Sequence, residues 1–440
     1  MNNHSPLSRP LPIPARRISR LAGFGRMATG IAGEVALNRL RAVAAGESVD
    51  YQDLLLTPSN AARLADQLAK MRGAAMKMGQ LLSMDAGEFI APELAQILAR
   101  LRAEGHYMPP SQLKKVLTAA WGADWLKSFR KFDVRPIAAA SIGQVHRAQT
   151  RDGRDIALKV QYPGVRSSID SDISNLAALI RLSGLIPREI DLSPLLEEAR
   201  NQLHEEADYA REGRYLDRFS TLLAQSDDFA VPKLHADLTG TDVLAMDYLP
   251  GVPIEDLSEA PQQVRDGVIA RLIDLVFREL FEFRLMQTDP NFANYLYDSD
   301  RDVIVLLDFG AARELDEGLV GSFRRLLQTA RSGDRPALEK GMIDLGFFDE
   351  TAKRHHIEAL VDMGVMALEP IAHGGTFDFA DQSFVQRLHK AGHAFGKERD
   401  FWHFPPTEVM LVQRKLAGLY LLGARLKARI DLDPLLDRFV

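Results

Sequence analysis

Asp289-Pro290-Asn291-Phe292-Ala293-Asn294, then the apolar run Val303-Ile304-Val305-Leu306-Leu307 and Asp308-Phe309-Gly310, is the stretch on which the fold turns. An aspartate and an asparagine lie 294 − 289 = 5 positions apart, and a strand delivers a second aspartate at its end. Together they offer three oxygen-bearing side chains. Such donors suit Mg2+, which takes one or two carboxylates and completes its shell with water and phosphate oxygens. On its own, Asp-Phe-Gly is also an ordinary turn after a buried strand. The order of the parts around it decides between the two readings.

In kinases an aspartate sits by the nucleophile, an asparagine five positions on holds one magnesium, and the aspartate of Asp-Phe-Gly holds the other. Upstream, Ile156-Ala157-Leu158-Lys159 has the form of the kinase third strand, whose lysine meets the α/β-phosphates and pairs with a helix glutamate. Further upstream, Ala138, Ala139, Ala140, Ser141 and Gly143 stand where a phosphate-covering loop belongs. Glycines let such a loop close backbone N–H groups over phosphates. Alanines in their place stiffen it and narrow its geometry, which predicts altered nucleotide selectivity. Between loop and lysine, Arg151-Asp152-Gly153 supplies a hairpin turn, because glycine accepts positive φ.

Ser193-Pro194 opens a helix with a capping residue and a proline in its first turn. It corresponds to the helix that supplies the lysine's partner. Glu205, Asp208 and Glu212 step by three and four and so share one side of a continuous helix. Any of them could reach Lys159. Val243-Leu244-Ala245-Met246 predicts a strand leading into Asp247-Tyr248-Leu249-Pro250-Gly251, a hinge where adenine would bond backbone groups near Asp247 and Leu249. Arg271 to Phe283 is an apolar-periodic helix entering the loop of Asp289, with Phe277, Phe281 and Phe283 read as core. Two departures limit a protein-kinase reading. Gln287-Thr288 replaces His-Arg, and no Ala-Pro-Glu follows Asp308, so a peptide-docking platform is not supported.

With 440 residues, 46% hydrophobic and 26% charged, the chain is globular and long enough for two or three packed units. The absence of cysteine excludes disulfides, thiolate metal sites and a cysteine nucleophile. No run approaches the roughly 20 apolar residues that span a bilayer; Leu416 to Ala424 is the best late stretch, and Arg414, Lys415 and Arg425 flank it. His355, His356 and His373 lack a carboxylate pattern that would complete a metal site. Basic residues beyond position 45 are unclustered and no repeat is present, so no nucleic-acid partner is expected.

The net charge of −6 hides an asymmetry: residues 1–45 carry seven arginines against Glu34, or +6, leaving −12 for the rest. Ile18, Leu21, Ala28, Ile31 and Val35 fall on one helical face, which makes a basic amphipathic segment suited to an anionic membrane surface. An organelle presequence has the same composition. Over 46–130 the pattern is helical. Leu64, Leu68, Met71, Ala75, Met78 and Leu82 draw one stripe, with Gly73, Lys77, Gln80 and Met84 opposite. A methionine and a glycine on that second face imply cover on both sides, with Lys77 and Gln80 pointing into a cleft.

Taken together, the chain resembles the UbiB-type atypical kinases associated with coenzyme Q biosynthesis. The resemblance is carried by Lys77-Met78-Gly79-Gln80, the alanine-rich Ala138 to Ser141, Glu206-Ala207-Asp208-Tyr209 with Glu212, Glu279-Leu280-Phe281-Glu282-Phe283, Gln287 to Asn291, Asp308-Phe309-Gly310, Pro405-Pro406-Thr407-Glu408 and Arg414-Lys415-Leu416-Ala417-Gly418. It implies Glu206 and Asp208 as a paired motif, Glu212 as the positional partner of Lys159, and Lys77 with Gln80 obstructing the substrate side.

The expected fold is α+β, a bilobal kinase-like arrangement with an N-terminal helical extension over the cleft. Its parts are a surface segment 1–45, the extension 46–130, an N-lobe 131–250 and a helical C-lobe 251–440. Lys159 and Asp289 are expected to act on ATP or ADP, with Asn294 and Asp308 holding Mg2+. The activity implied is that of an atypical kinase or ATPase peripheral to a membrane, on the cytoplasmic face of a bacterial inner membrane or an organelle's matrix side. The partners implied are a quinone-precursor lipid and quinone-biosynthesis enzymes. A nucleotide-gated lipid-binding scaffold and a small-molecule phosphotransferase are the alternatives.

Overall fold

Short alternating strands build an antiparallel sheet early in the chain, and helical periodicity takes over later. The computed structural model describes residues 107–183, 193–396, 403 and 405–439. The 1–45 segment, the stripe at 64–82, Lys77 and Gln80 lie outside the described residues. Numbered over these, the elements begin with helix α1 (Pro110–Trp121) and strands β1 (Phe129–Phe132), β2 (Ala138–Ala139), β3 (Gly143–Thr150) and β4 (Asp155–Gln161). Helices α2 (Val165–Ser183), α3 (Ser193–Glu206) and α4 (Tyr209–Leu222) follow, then β5 (Phe229–Ala230) and β6 (Val243–Asp247). Two compact units result. The described part of the first is 107–217 with 233–248, and that of the second is 218–232 with 249–439.

In the first unit the sheet order is β1-β3-β4-β6, with the two-residue β2 paired to β3. The β3–β4 hairpin turns at Gly153, whose φ of +95° only glycine adopts readily. Register sets Lys159 between Val145 on β3 and Leu244 on β6. Strand side chains alternate faces. Ile156, Leu158 and Val160 therefore share one face of β4, where they join Leu113, Val116 and Leu117 of α1 and Trp125 in a buried core. Each such side chain contributes about 2 kcal/mol on removal from water. Helix α1 thus packs on the sheet although it falls within the segment 46–130. The opposite face of β4 presents Ala157, Lys159 and Gln161.

Strand β3 also buries a polar chain. Gln144 Oε1 accepts Met108 N–H at 2.9 Å, the Gln144 amide lies 2.7 Å from His146 Nε2, and His146 Nδ1 lies 2.8 Å from Asp133 O. With its ring fully buried, His146 is held neutral, its pKa lowered from 6.5 to about 4 by burial.

The second unit contains β7 (Val252–Pro253), α5 (Gln262–Phe277), a π-helical turn (Arg278–Phe283), β8 (Leu285–Gln287), β9 (Tyr295–Asp298), β10 (Val303–Leu306) and β11 (Ala312–Glu314). Helices α6 (Glu317–Ser332), α7 (Arg335–Asp344), α8 (Arg354–Ala367) and α9 (Glu369–His373) precede β12 (Thr376–Asp378) and α10 (Ser383–Gly396). Helix α11 (Thr407–Leu426), β13 (Arg429–Asp431) and α12 (Asp433–Phe439) complete it. One sheet runs β5-β10-β9-β7, and β8 pairs with β11. The apolar helix expected over 271–283 starts earlier, at Gln262, and loosens into the π-turn. Phe277 and Phe281 are buried there against Phe439, while Phe283 lies under the Arg278 guanidinium. No helix of the described residues is long and apolar enough to cross a membrane.

Candidate functional site

In the first unit, β4 carries Lys159 on the face that α4 covers. Its Nζ donates to both carboxylate oxygens of Glu212, at 2.8 and 3.0 Å, and lies 5.3 Å from the Tyr209 ring centre. Both partners are buried, at 8% and 1% exposure, so the ion pair is little screened by water. The choice among the helix carboxylates is thereby made. Glu205 lies 3.7 Å from Arg211, and Asp208 Oδ1 accepts Arg211 N–H.

That outcome corrects the expectation of one continuous helix with Glu205, Asp208 and Glu212 on a single side. The helix ends at Glu206 and restarts at Tyr209. Gln161 Nε2 and Arg166 Nη2 both donate to the Ala207 carbonyl, at 2.7 and 3.0 Å, which satisfies backbone left unpaired at the break. Asp208 then caps the new helix. Glu206 accepts the Ser141 hydroxyl at 2.5 Å. The paired motif of Glu206 and Asp208 therefore anchors the alanine-rich loop and starts the helix that brings Glu212 to the lysine.

The loop itself is a hairpin. Ala138 and Ala139 are exposed and pair with Val145 and Gln144, and Ala140 N–H donates to Gly143 O at 2.9 Å. Ser141 and buried Ile142 make its tip. Gly143 is needed for close approach, not for an unusual φ. A Cβ there would meet Val160 O at 2.5 Å and the Tyr209 hydroxyl at 2.8 Å. At the other end of the sheet, Asp247 Oδ1 lies 2.8 Å from His235 Nε2, and the first unit ends at Tyr248, so Leu249 begins the next stretch of the second.

In the second unit, Asp289, Asn294 and Asp308 lie on two connected loops. Thr288 donates to Ala311 O through its hydroxyl at 2.8 Å, and β8 pairs Gln287 with Ala312, so the chain before Asp289 is tied to the chain after Gly310. Asn294 Nδ2 lies 3.4 Å from Asp289 Oδ2, and Asn294 O accepts Leu307 N–H at 3.0 Å. Asp308 Oδ1 accepts Gly310 N–H at 2.9 Å, which fixes the turn. Phe309 is buried, with its ring 4.8 Å from that of Phe219. Asn294, Asp308 and Phe309 line one small cavity.

Among the described residues no group of three His, Cys, Asp or Glu could hold a metal. Asp289, Asn294 and Asp308 are hard oxygen donors, too few for a closed cage and suited to Mg2+ that keeps water and phosphate ligands. His355 and His356 have ring centres 4.0 Å apart, and the His356 ring meets Phe395 edge-on.

Sequence reasoning assigned no role to a second buried lysine. Lys415 on α11 donates to Gln287 Oε1 at 3.0 Å and to the Tyr295 hydroxyl at 2.7 Å, and lies 3.7 Å from Glu279 Oε2 in the π-turn. Burial pushes the Glu279 carboxyl up to about 7, against the pull of Lys415. A lysine and a glutamate each set among apolar neighbours, Leu411-Val412 and Leu280-Phe281, were the available signal.

The model of the ABC1 atypical kinase-like domain matches residues 100–342. Atypical kinase COQ8, mitochondrial, of Saccharomyces cerevisiae is 36% identical over 424 residues, covering 95% of this chain and 83% of that one. COQ8B, mitochondrial, of Danio rerio is 37% identical, covering 95% and 68%. The chain spans 56% of the length of the Caenorhabditis elegans relative, atypical kinase coq-8, mitochondrial, at 36% identity. Among solved structures, Rv3197 of Mycobacterium tuberculosis, in complex with erythromycin, has a TM-score of 0.62 at 24% identity, covering 87% of this chain and 96% of that one.

Proposed function

Because the chain belongs to the ABC1 atypical kinase-like family and is an atypical kinase, we propose that it binds MgATP or MgADP and either hydrolyses ATP or transfers its γ-phosphoryl to a small or lipid acceptor. The observation that carries this is the buried, bidentate Lys159–Glu212 pair, which holds an ammonium in one orientation. Phosphoryl transfer asks mainly for alignment and charge neutralisation. Lys159 would meet the α/β-phosphates. Asp289 would orient the attacking hydroxyl or water, and it need not be a strong base because the transition state is loose. Asn294 and Asp308 would hold Mg2+, which when bound neutralises charge on the phosphates. The hairpin of Ala138, Ala139, Ala140, Ser141 and Gly143 would lie over the phosphates, with Asp247 and Leu249 beside the adenine.

The relatives named COQ8 direct the reading toward coenzyme Q or a related quinone lipid, at a membrane surface and with other enzymes of that synthesis as partners. The basic segment 1–45 would provide peripheral attachment, and Lys77 and Gln80 would restrict access by a protein substrate. Steady-state ATP turnover with and without anionic liposomes and a phenolic quinone-precursor mimic tests the activity. The expected result is Mg2+-dependent turnover, raised by the additions and lost in Asp308→Asn. Equal rates in wild type and Asp308→Asn would contradict it. The quinone content of a strain carrying Asp308→Asn tests the pathway, with loss expected.

A further inference from the structure

We propose that Lys415 is a positioning residue for phosphoryl transfer, clamping both ends of the loop that carries Asp289 and Asn294. The proposal rests on the assignment of those two residues and Asp308 to the Mg-nucleotide. Gln287, whose side-chain oxygen Lys415 binds, stands two positions before Asp289; Tyr295, whose hydroxyl it binds, stands one position after Asn294. One ammonium thus fastens the entry and the exit of the loop. A third contact lies one helical turn on. Gly418 packs so closely on Pro290, the residue after Asp289, that a Cβ would come within 2.2 Å of the proline Cβ. Helix α11 is therefore seated on the loop from below. Gln287 N–H also lies 3.5 Å from Glu279 Oε1, which joins the π-turn to the same brace.

Stability alone is a poor reason for these residues. Glu279, Lys415 and Gln287 are at most 4% exposed. A buried pair of this kind is often no better for stability than apolar residues of similar volume, because desolvation offsets attraction. The cluster is also incompletely satisfied, since Gln287 Nε2 has no hydrogen-bond partner among the described residues. What the arrangement does supply is a fixed span between Gln287 and Tyr295. Lys415 also borders the cavity whose wall carries Asn294 and Asp308, so a shift of its ammonium would be felt at the metal-binding side chains. Lys415 acts through the loop that carries Asp289 and Asn294.

The test compares wild type, Glu279→Gln/Lys415→Met, Tyr295→Phe and Asp308→Asn for melting temperature and for kcat and KM with MgATP. The double variant removes both buried charges together, and Tyr295→Phe removes one oxygen without changing shape. The double variant is expected to lower kcat about 10- to 100-fold, as a displacement of catalytic groups by about an ångström does, with KM changed less than about threefold. Tyr295→Phe should lower kcat by a smaller factor with an unchanged melting temperature. A folded double variant or Tyr295→Phe with wild-type kcat, or a loss confined to KM, overturns the clamp. Wild-type turnover in Asp308→Asn would instead overturn the nucleotide assignment beneath it. Should the double variant fail to fold, Tyr295→Phe alone decides.

Discussion

Each unit buries a lysine against a glutamate, and the two pairs are built differently. Lys159 and Glu212 meet head-on, with two hydrogen bonds at 2.8 and 3.0 Å. Lys415 and Glu279 stand 3.7 Å apart, with Gln287 and Tyr295 taking the lysine's hydrogen bonds. A direct bidentate pair holds one ammonium in one orientation, as a phosphate ligand requires. A distributed pair holds the chain segments that share it. Burying a charge is costly in both places; the difference lies in which groups each ammonium holds.

The sharpest way to break the comparison is to remove a side chain proposed to hold the metal. Asp308→Asn should abolish ATP turnover while leaving both lysine pairs and the melting temperature nearly unchanged, as thermal denaturation would report. Next, Glu212→Gln removes the carboxylate of this buried pair while Lys159 stays charged. Removing one partner of a buried pair costs about 3–5 kcal/mol, so both stability and turnover should fall, whereas Lys159→Met with Glu212→Gln should recover stability and not turnover. Gly418→Ala drives a methyl into Pro290 and should cost about 1–3 kcal/mol with a fall in kcat, because the loop of Asp289 must move to admit it.

The two units should also differ in their response to pH. His146 binds a proton less readily folded than unfolded, its pKa standing at about 4 instead of 6.5. The stability of the first unit is therefore full above pH 6.5 and declines as pH falls toward 4, by up to about 3 kcal/mol. Glu279 has the opposite sign. Its folded pKa of about 7 lies above the ordinary 4.5, so its contribution is greatest at low pH and is lost as pH rises through about 7. Hydrogen exchange followed from pH 4 to 8 should show opposite slopes in β3 and α11, and His146→Gln should flatten the first alone. The smallest effect expected is a change in the ratio of ADP to ATP affinity in Ala139→Gly, measured by calorimetry, since a looser hairpin relaxes the loop's geometry.

How legible each half was follows from distance along the chain. The lysine strand and the Asp289, Asn294 and Asp308 spacing are local patterns, and strand periodicity with a fixed offset is enough to read them. The partner of Lys159 was not readable by helical spacing, because the helix breaks at Ala207-Asp208, where Gln161 and Arg166 reach in from β4 and α2 to hold the Ala207 carbonyl. Family resemblance carried the choice of Glu212 where periodicity could not. Gly143 suggested a conformational requirement and proved to be one of space. The Lys415 brace was hidden most deeply. Its members lie at 279, 287, 295 and 415, and no local pattern links the last to the others.

Magnesium-dependent nucleotide binding is the property on which the account stands, and calorimetric titration of ADP with and without Mg2+ into wild type and Asp308→Asn measures it directly. Wild type should bind much more tightly with Mg2+ present, and Asp308→Asn should lose that difference. Equal Mg2+ dependence in the two proteins would contradict the assignment of Asp308, and with it the proposed site.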